Sequence, residues 1–216
     1  MDLDVDEQRL TLKAVYYGPA LSGKTTSILR LHDRLPPERR GDLITLDTYQ
    51  DRTLFFDLLP IYIEAPSGLG IKVKVCTVPG QVRYDATRKA VLSRADGVIF
   101  VADSQVIEQR NNAESLRNLE ENCRALGMDL STMPLIIQFN KRDLTNIVSE
   151  EHVNERWSAS GVRIHFSSAL HGINVVTPFK EMMGMIYDNC DKRMKLNEKH
   201  GLSKDEFLKE FQLSDD

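Results

Sequence analysis

The segment Gly18-Pro19-Ala20-Leu21-Ser22-Gly23-Lys24-Thr25-Thr26 sets two glycines, a lysine and a hydroxyl at spacings that suit one task, wrapping a chain of phosphates. Backbone N–H groups must converge on phosphate oxygens, and a Cβ at Gly18 or Gly23 would crowd that approach. Lys24 can bridge the β and γ phosphates, and Thr25 can ligate Mg2+. The helix that opens near Lys24 aims the positive end of its dipole at the same anion. The backbone from Ala20 through Thr26 is therefore a candidate phosphate cradle.

A second motif, Asn140-Lys141-Arg142-Asp143, closes the apolar stretch Pro134 to Asn140 and reads the base. A carboxylate at Asp143 can accept both the N1–H and the exocyclic amine of guanine. Adenine offers no such donor pair, and a buried, unpaired carboxylate beside it would cost several kcal/mol. An ATPase of the wider phosphate-loop group is thereby disfavoured. Lys141 lies along the base or against the phosphate loop. A third motif, Thr77-Val78-Pro79-Gly80-Gln81, resembles the D-x-x-G-Q segment of Ras-like proteins, and that resemblance implies the roles of its last two residues. Gly80 lets a backbone N–H approach the γ-phosphate, and Gln81 is the candidate for orienting an attacking water.

These groups need a scaffold that gathers strand ends. Short apolar runs rich in β-branched residues recur at Leu12 to Tyr17, Ile71 to Val78, Gly97 to Ala102 and Pro134 to Asn140, with a weaker one at Val162 to Phe166. They read as strands buried on both faces. Between them lie helix-length segments at Lys24 to Leu35, Tyr84 to Ser93, Glu108 to Leu126, Ser149 to Ala159 and Val175 to Cys190. The alternation predicts an α/β fold with a mixed, mostly parallel sheet and helices on both faces. Ile61 to Glu64 and Ile71 onward, joined by Ala65-Pro66-Ser67-Gly68-Leu69-Gly70, read as an antiparallel hairpin at one sheet edge. Leu43 to Leu46 adds a further short strand. The stretch Pro36 to Pro60 has no helical period and reads as a functional loop. After a domain over 1–192, residues 193–216 read as a charged linker and a short terminal helix. Ser203 and Glu206 there have capping-box spacing, and Phe207, Leu208 and Phe211 are placed to pack on the domain or, alternatively, to dock on a partner.

Composition excludes several classes. With 216 residues, 41% hydrophobic and 28% charged, the chain is long enough for one full core. A net charge of −4 argues against nucleic acid as the main partner. The three cysteines, Cys76, Cys123 and Cys190, have no paired spacing, and the five histidines have no metal-ligand spacing. No signal peptide, long apolar run or C-terminal prenylation cysteine is read, and Met1-Asp2 lacks the glycine for myristoylation. The expectation is a cytoplasmic protein with no direct membrane anchor.

Beyond the nucleotide motifs, Tyr16-Tyr17-Gly18-Pro19, Asp51-Arg52-Thr53-Leu54-Phe55-Phe56-Asp57, Thr77-Val78-Pro79-Gly80-Gln81 and Val101-Ala102-Asp103-Ser104-Gln105 resemble the MglA family over about residues 10 to 190. That family comprises bacterial Ras-like GTPases of cell polarity and gliding motility. The resemblance implies a Ras-like P-loop domain that hydrolyses GTP to GDP with Mg2+ and binds polarity or motility effectors in the GTP state, enriched at a cell pole. It implies hydrolysis stimulated by a homodimeric roadblock-type activator, MglB, and a chain that is a monomer on its own. It further implies Arg52 as a catalytic arginine beside Lys24 and Gln81, and Thr53 as a γ-phosphate and Mg2+ contact beside Thr25.

Ser168-Ala169-Leu170 resembles the Ser-Ala-Lys guanine loop of Ras-like proteins, with Leu170 in place of the lysine. Thr77 stands where such proteins usually carry aspartate; it keeps an oxygen without the charge. The expectation is retained but weakened Mg2+ dependence, with Asp51 as a helper. Ala20 stands where glycine is frequent, and its methyl is expected to crowd Gln81 and slow hydrolysis. Ala20 and Thr77 together leave an alternative open, a GTP/GDP-gated scaffold with little or no turnover.

Overall fold

The computed structural model describes residues 1–4, 6–47 and 55–214. Its central strand is β2 (Arg9–Tyr17). Leu10, Leu12, Ala14 and Tyr16 turn to one layer of helices, Val15 and Tyr17 to the other. That split follows from the two-residue period of a strand covered on both faces.

In chain order the elements are β1 (Asp2–Asp4), β2, α1 (Lys24–Arg34), β3 (Ile44–Asp47), β4 (Phe55–Glu64), β5 (Gly70–Thr77), α2 (Asp85–Leu92), β6 (Gly97–Asp103), α3 (Gln109–Ala125), β7 (Leu135–Asn140), α4 (Glu150–Trp157), β8 (Arg163–Phe166), α5 (Val176–Met194), α6 (Leu196–His200) and α7 (Lys204–Lys209). The sheet runs β3-β4-β5-β2-β6-β7-β8, with β1 paired to β2. Strands β5, β2, β6, β7 and β8 are mutually parallel, while β3/β4, β4/β5 and β1/β2 are antiparallel. The sheet is mixed and mostly parallel, as the alternation predicts.

One core layer packs α1 and α5 on the sheet through Ile28, Leu31, Phe179, Met182 and Ile186. The opposite layer packs α2, α3 and α4 through Val91, Leu92, Leu119, Cys123 and Val153. Gly97 opens β6 where a Cβ would sit 2.3 Å from Met182 Sδ, so glycine lets α5 lie close to the sheet.

Three elements differ from the sequence reading. Strand β4 begins at Phe55, not Ile61. Pro60 reads as a strand breaker, yet it lies beyond the last β3 pair, Ile44↔Leu58, where no strand ladder continues on that side. Its carbonyl instead accepts from Gly41 N–H at 2.9 Å. The acidic N-terminus carries the short strand β1, whose side chains are exposed and so show no apolar pattern. The charged segment after Cys190 is largely helical: α5 continues to Met194, and α6 follows a left-handed Lys195. The terminal helix has the expected capping box between Ser203 and Glu206. Phe207 and Phe211 are fully buried, packed edge to face at 5.2 Å. Among the described residues, no helix is long and apolar enough to cross a membrane.

Candidate nucleotide site

Because β2, β5, β6, β7 and β8 are parallel, their C-terminal ends share one edge of the sheet. Gly18, Thr77, Asp103, Asn140 and Ser167 therefore gather there, the edge at which open α/β sheets bind ligands.

Gly23 has φ +99°, and a Cβ on it would lie 2.1 Å from Asn140 Nδ2. Glycine is needed at this position both for the backbone conformation and for the space. Lys24 is buried, and its Nζ donates to the Pro19 carbonyl at 2.6 Å. Burial, with the positive charge of Arg88 beside it, pushes its ammonium down to about 7, against an opposing pull from Asp57. An anion placed here would restore the charged form. Ser22 Oγ is buried without a partner among the described residues, and Leu21 is 88% exposed. A cavity of about 540 Å³ opens over this loop, lined by Ala20, Leu21, Gly23, Lys24, Thr25, Thr26, Thr77, Gly80 and Gln81. Gly80 is pressed against the loop: a Cβ there would lie 2.3 Å from Ala20 Cα.

Beside Thr25 stands a carboxylate that the sequence reading passed over. Asp57 Oδ2 accepts from Thr25 Oγ1 at 2.6 Å and from Thr77 Oγ1 at 3.0 Å; Asp57 Oδ1 accepts from Thr45 Oγ1 at 3.1 Å. The Asp57 N–H donates to Thr77 Oγ1 at 2.8 Å. The hairpin register makes the encounter necessary. Pairing Glu64↔Gly70 and Leu58↔Cys76 brings residue 57 opposite Thr77.

At the other end, Asn140 ties three segments. Its Nδ2 donates to the Ser22 carbonyl at 2.8 Å, and its Oδ1 accepts from the Ala169 N–H at 2.8 Å and Ser167 Oγ at 3.2 Å. Asp143 Oδ1 accepts from Ser168 Oγ at 2.5 Å, and that bond holds its carboxyl below the usual range. Lys141, in the left-handed region, pairs with Asp103 at 2.6 Å. Leu170 is 62% exposed, and the loop that carries it is held from α1. Arg30 donates to the Ala169 and Leu170 carbonyls at 3.2 and 2.6 Å.

Ala20, Leu21, Gly23, Lys24, Thr25 and Thr26 thus line one cavity with Gly80 and Gln81, while Ser22 is buried; Asn140 is bonded to the Ala169 N–H and Asp143 to the neighbouring Ser168 hydroxyl. Arg52, Thr53 and the helper Asp51 lie outside the described residues. Sequence reasoning missed Asp57, Asp103 and Arg30. Hairpin register could have found Asp57; a partner for Arg30 so distant in sequence leaves no local signal.

Residues 13–188 match the Ras family model. The chain belongs to the Ras family of small GTPases, in keeping with its mixed sheet and the loops at its edge. It is similar to the mutual gliding-motility protein MglA of Myxococcus xanthus, 39% identical over 190 residues that cover 88% of this chain and 97% of that one.

Proposed function

We propose that this chain is a GTP/GDP switch that hydrolyses GTP to GDP and phosphate and governs cell polarity or motility through effectors bound in the GTP state. The observation that carries the guanine reading is Asp143, an ionised carboxylate oriented by Ser168 and adjoining the Asn140 hub. Lys24 would neutralise the β and γ phosphates, with the Ala20–Thr26 backbone around them. Gly80 N–H would face the γ-phosphate, and Gln81 would orient the attacking water. Lys141, Ala169 and Leu170 would flank the base.

The donor set suits Mg2+. The Thr25 hydroxyl, the buried Asp57 carboxylate and the Thr77 hydroxyl offer hard oxygen ligands and only one negative charge, and Mg2+ keeps several waters of its own. When bound, the ion would supply charge neutralisation on the phosphates. Thr25 would hold it directly, with Thr53 as a second ligand by resemblance. Asp57 would be a helping carboxylate in addition to the expected helper, Asp51. By resemblance as well, Arg52 would act as an arginine in cis, a contribution on the order of 10³ to 10⁵ in rate. An MglB-type roadblock homodimer would be the activator, and the protein alone a monomer, enriched at a pole when GTP is bound.

Single-turnover GTP hydrolysis with Mg2+, with and without a roadblock-type partner, tests the proposal. Acceleration by the partner, lost in Gln81→Ala and Arg52→Ala, is expected. Tight guanine binding with no phosphate release in either condition would make the chain a nucleotide-gated scaffold instead.

A further inference from the structure

Arg88 is fully buried, and beyond its charge beside Lys24 no role has been given to it. Removing a guanidinium from water is costly unless every donor finds an acceptor, so its partners should explain its presence. Nη1 donates to the Gly80 carbonyl at 2.9 Å, Nη2 to Ser115 Oγ of α3 at 2.9 Å, and Nε to Tyr17 Oη at 3.0 Å. The guanidinium also lies over the Tyr17 ring, 4.3 Å from its centroid. Tyr17 Oη in turn donates to Asn118 Oδ1 at 2.7 Å and accepts from Asn122 Nδ2 at 3.0 Å. Both asparagines donate to Asp85 Oδ1 at 2.8 Å.

The network therefore runs from the strand that leads into the phosphate loop, through α3, to the backbone just before Gln81. The peptide unit is planar. Holding the Gly80 carbonyl fixes the Gln81 N–H on the opposite side and the direction in which the Gln81 Cα leaves. On its other side Gly80 has no room, because it is pressed against Ala20. Gln81 itself is exposed, and no side-chain hydrogen bond restrains it among the described residues. Its starting geometry thus depends on the peptide that Arg88 grips.

We infer that Arg88 is a positioning residue for hydrolysis, setting Gln81 through the Gly80 carbonyl, and that Ser115 and Tyr17 bring α3 into control of that geometry. The inference rests on the hydrolytic reading of Gln81 given above. A core brace with no such role would make a different prediction, since it would affect folding and nucleotide binding together.

The experiment compares wild type, Arg88→Ala, Arg88→Lys, Ser115→Ala and Tyr17→Phe as full-length proteins. It measures single-turnover GTP hydrolysis, GDP affinity and hydrogen exchange over residues 79–84. Arg88→Ala is expected to slow phosphate release about tenfold or more, to speed exchange in 79–84, and to leave GDP affinity within about threefold. Arg88→Lys, which keeps one donor for the Gly80 carbonyl, is expected to recover part of the rate. Should Arg88→Ala not fold, Ser115→Ala and Tyr17→Phe decide the matter: slower hydrolysis at unchanged GDP affinity supports the inference. Unchanged rates, or rate and GDP affinity falling in step, overturn it. Wild-type protein that releases no phosphate overturns the hydrolytic reading itself, before any substitution is considered.

Discussion

Asp57 Oδ2 lies 2.6 Å from Thr25 Oγ1, although the two residues sit on different elements, one on β4 and the other in the first turn of α1. The contact puts a buried carboxylate beside the hydroxyl that follows the phosphate-loop lysine, and Thr77 completes the group at 3.0 Å. The charge that Thr77 lacks is therefore restored from the neighbouring strand. Asp57→Asn should weaken Mg2+-dependent GDP retention about tenfold, equivalent to ~1.4 kcal/mol. Thr77→Asp alone should not improve on wild type, because two adjacent carboxylates repel. Asp57→Asn with Thr77→Asp should recover most of the loss. Mg2+ titration of GDP dissociation reads all three; wild-type behaviour in Asp57→Asn would rule out Asp57 as the supporting carboxylate.

The Asp57 contact also marks how far the sequence can be read. The strands β2, β6 and β7 and the loops that follow them were legible because hydrophobic period and motif chemistry coincide there. The hairpin of Ile61 with Ile71 was legible from its turn, but Pro60 hid the earlier half of β4, and with it the register that carries Asp57 to Thr77. The grip of Arg30 on the Ala169 and Leu170 carbonyls was not legible, since it joins segments far apart in sequence through backbone acceptors that any residue offers. Strand β1 was invisible because its pairing uses backbone groups while its side chains face water.

The Asp143 carboxylate is held ready by Ser168, so its contribution can be separated from its orientation. Asp143→Asn turns an acceptor pair into a site with an amide donor. Guanine affinity should fall by on the order of 10²-fold, and xanthine, which carries a carbonyl where guanine has its amine, should gain. Ser168→Ala should cost less, about 1 kcal/mol, and leave the preference for guanine in place. Competition of GDP, XDP and ADP against a fluorescent guanine nucleotide measures the order. A variant that still prefers GDP over XDP would remove Asp143 as the base reader.

Ala20 bears on rate rather than affinity. It lines the cavity with Gln81, and its backbone touches Gly80. Ala20→Gly should raise single-turnover hydrolysis on the order of tenfold, ~1.4 kcal/mol of barrier, with GDP affinity little changed. An unchanged rate would show that the methyl does not obstruct the glutamine.

Asp85 closes the Arg88 network and gives it a pH signature. Burial raises its carboxyl, but hydrogen bonds from Lys89, Asn118 and Asn122 outweigh that and bring it down to about 2. The folded value lies below the ordinary 3.8. Its stabilisation is therefore complete above about pH 4 and is lost as pH falls through about 2. Thermal melts from about pH 6 down to about pH 2 should show Asp85→Asn less stable than wild type at the upper end, with the gap closing toward the lower. A gap that stays constant over the range would mean that the carboxylate charge contributes nothing.

The terminal helix can be tested as part of the core. Phe207 is fully buried, 5.4 Å from the Tyr187 ring and 5.2 Å from that of Phe211; Phe211 in turn meets Phe179 at 5.3 Å. Tyr187 Oη donates to the Leu202 carbonyl at 2.5 Å, and Lys204 pairs with Asp188 at 2.6 Å, so α7 is fastened to α5 by apolar and polar contacts alike. Phe207→Ala should cost about 3–5 kcal/mol and lower the melting temperature by roughly 10 °C. Because α7 lies on α5, away from the residues that line the phosphate-loop cavity, GDP affinity at low temperature should stay within about twofold. A melting temperature unchanged by Phe207→Ala would mean that α7 leaves this surface in solution, freeing Phe207, Leu208 and Phe211 to dock on a partner.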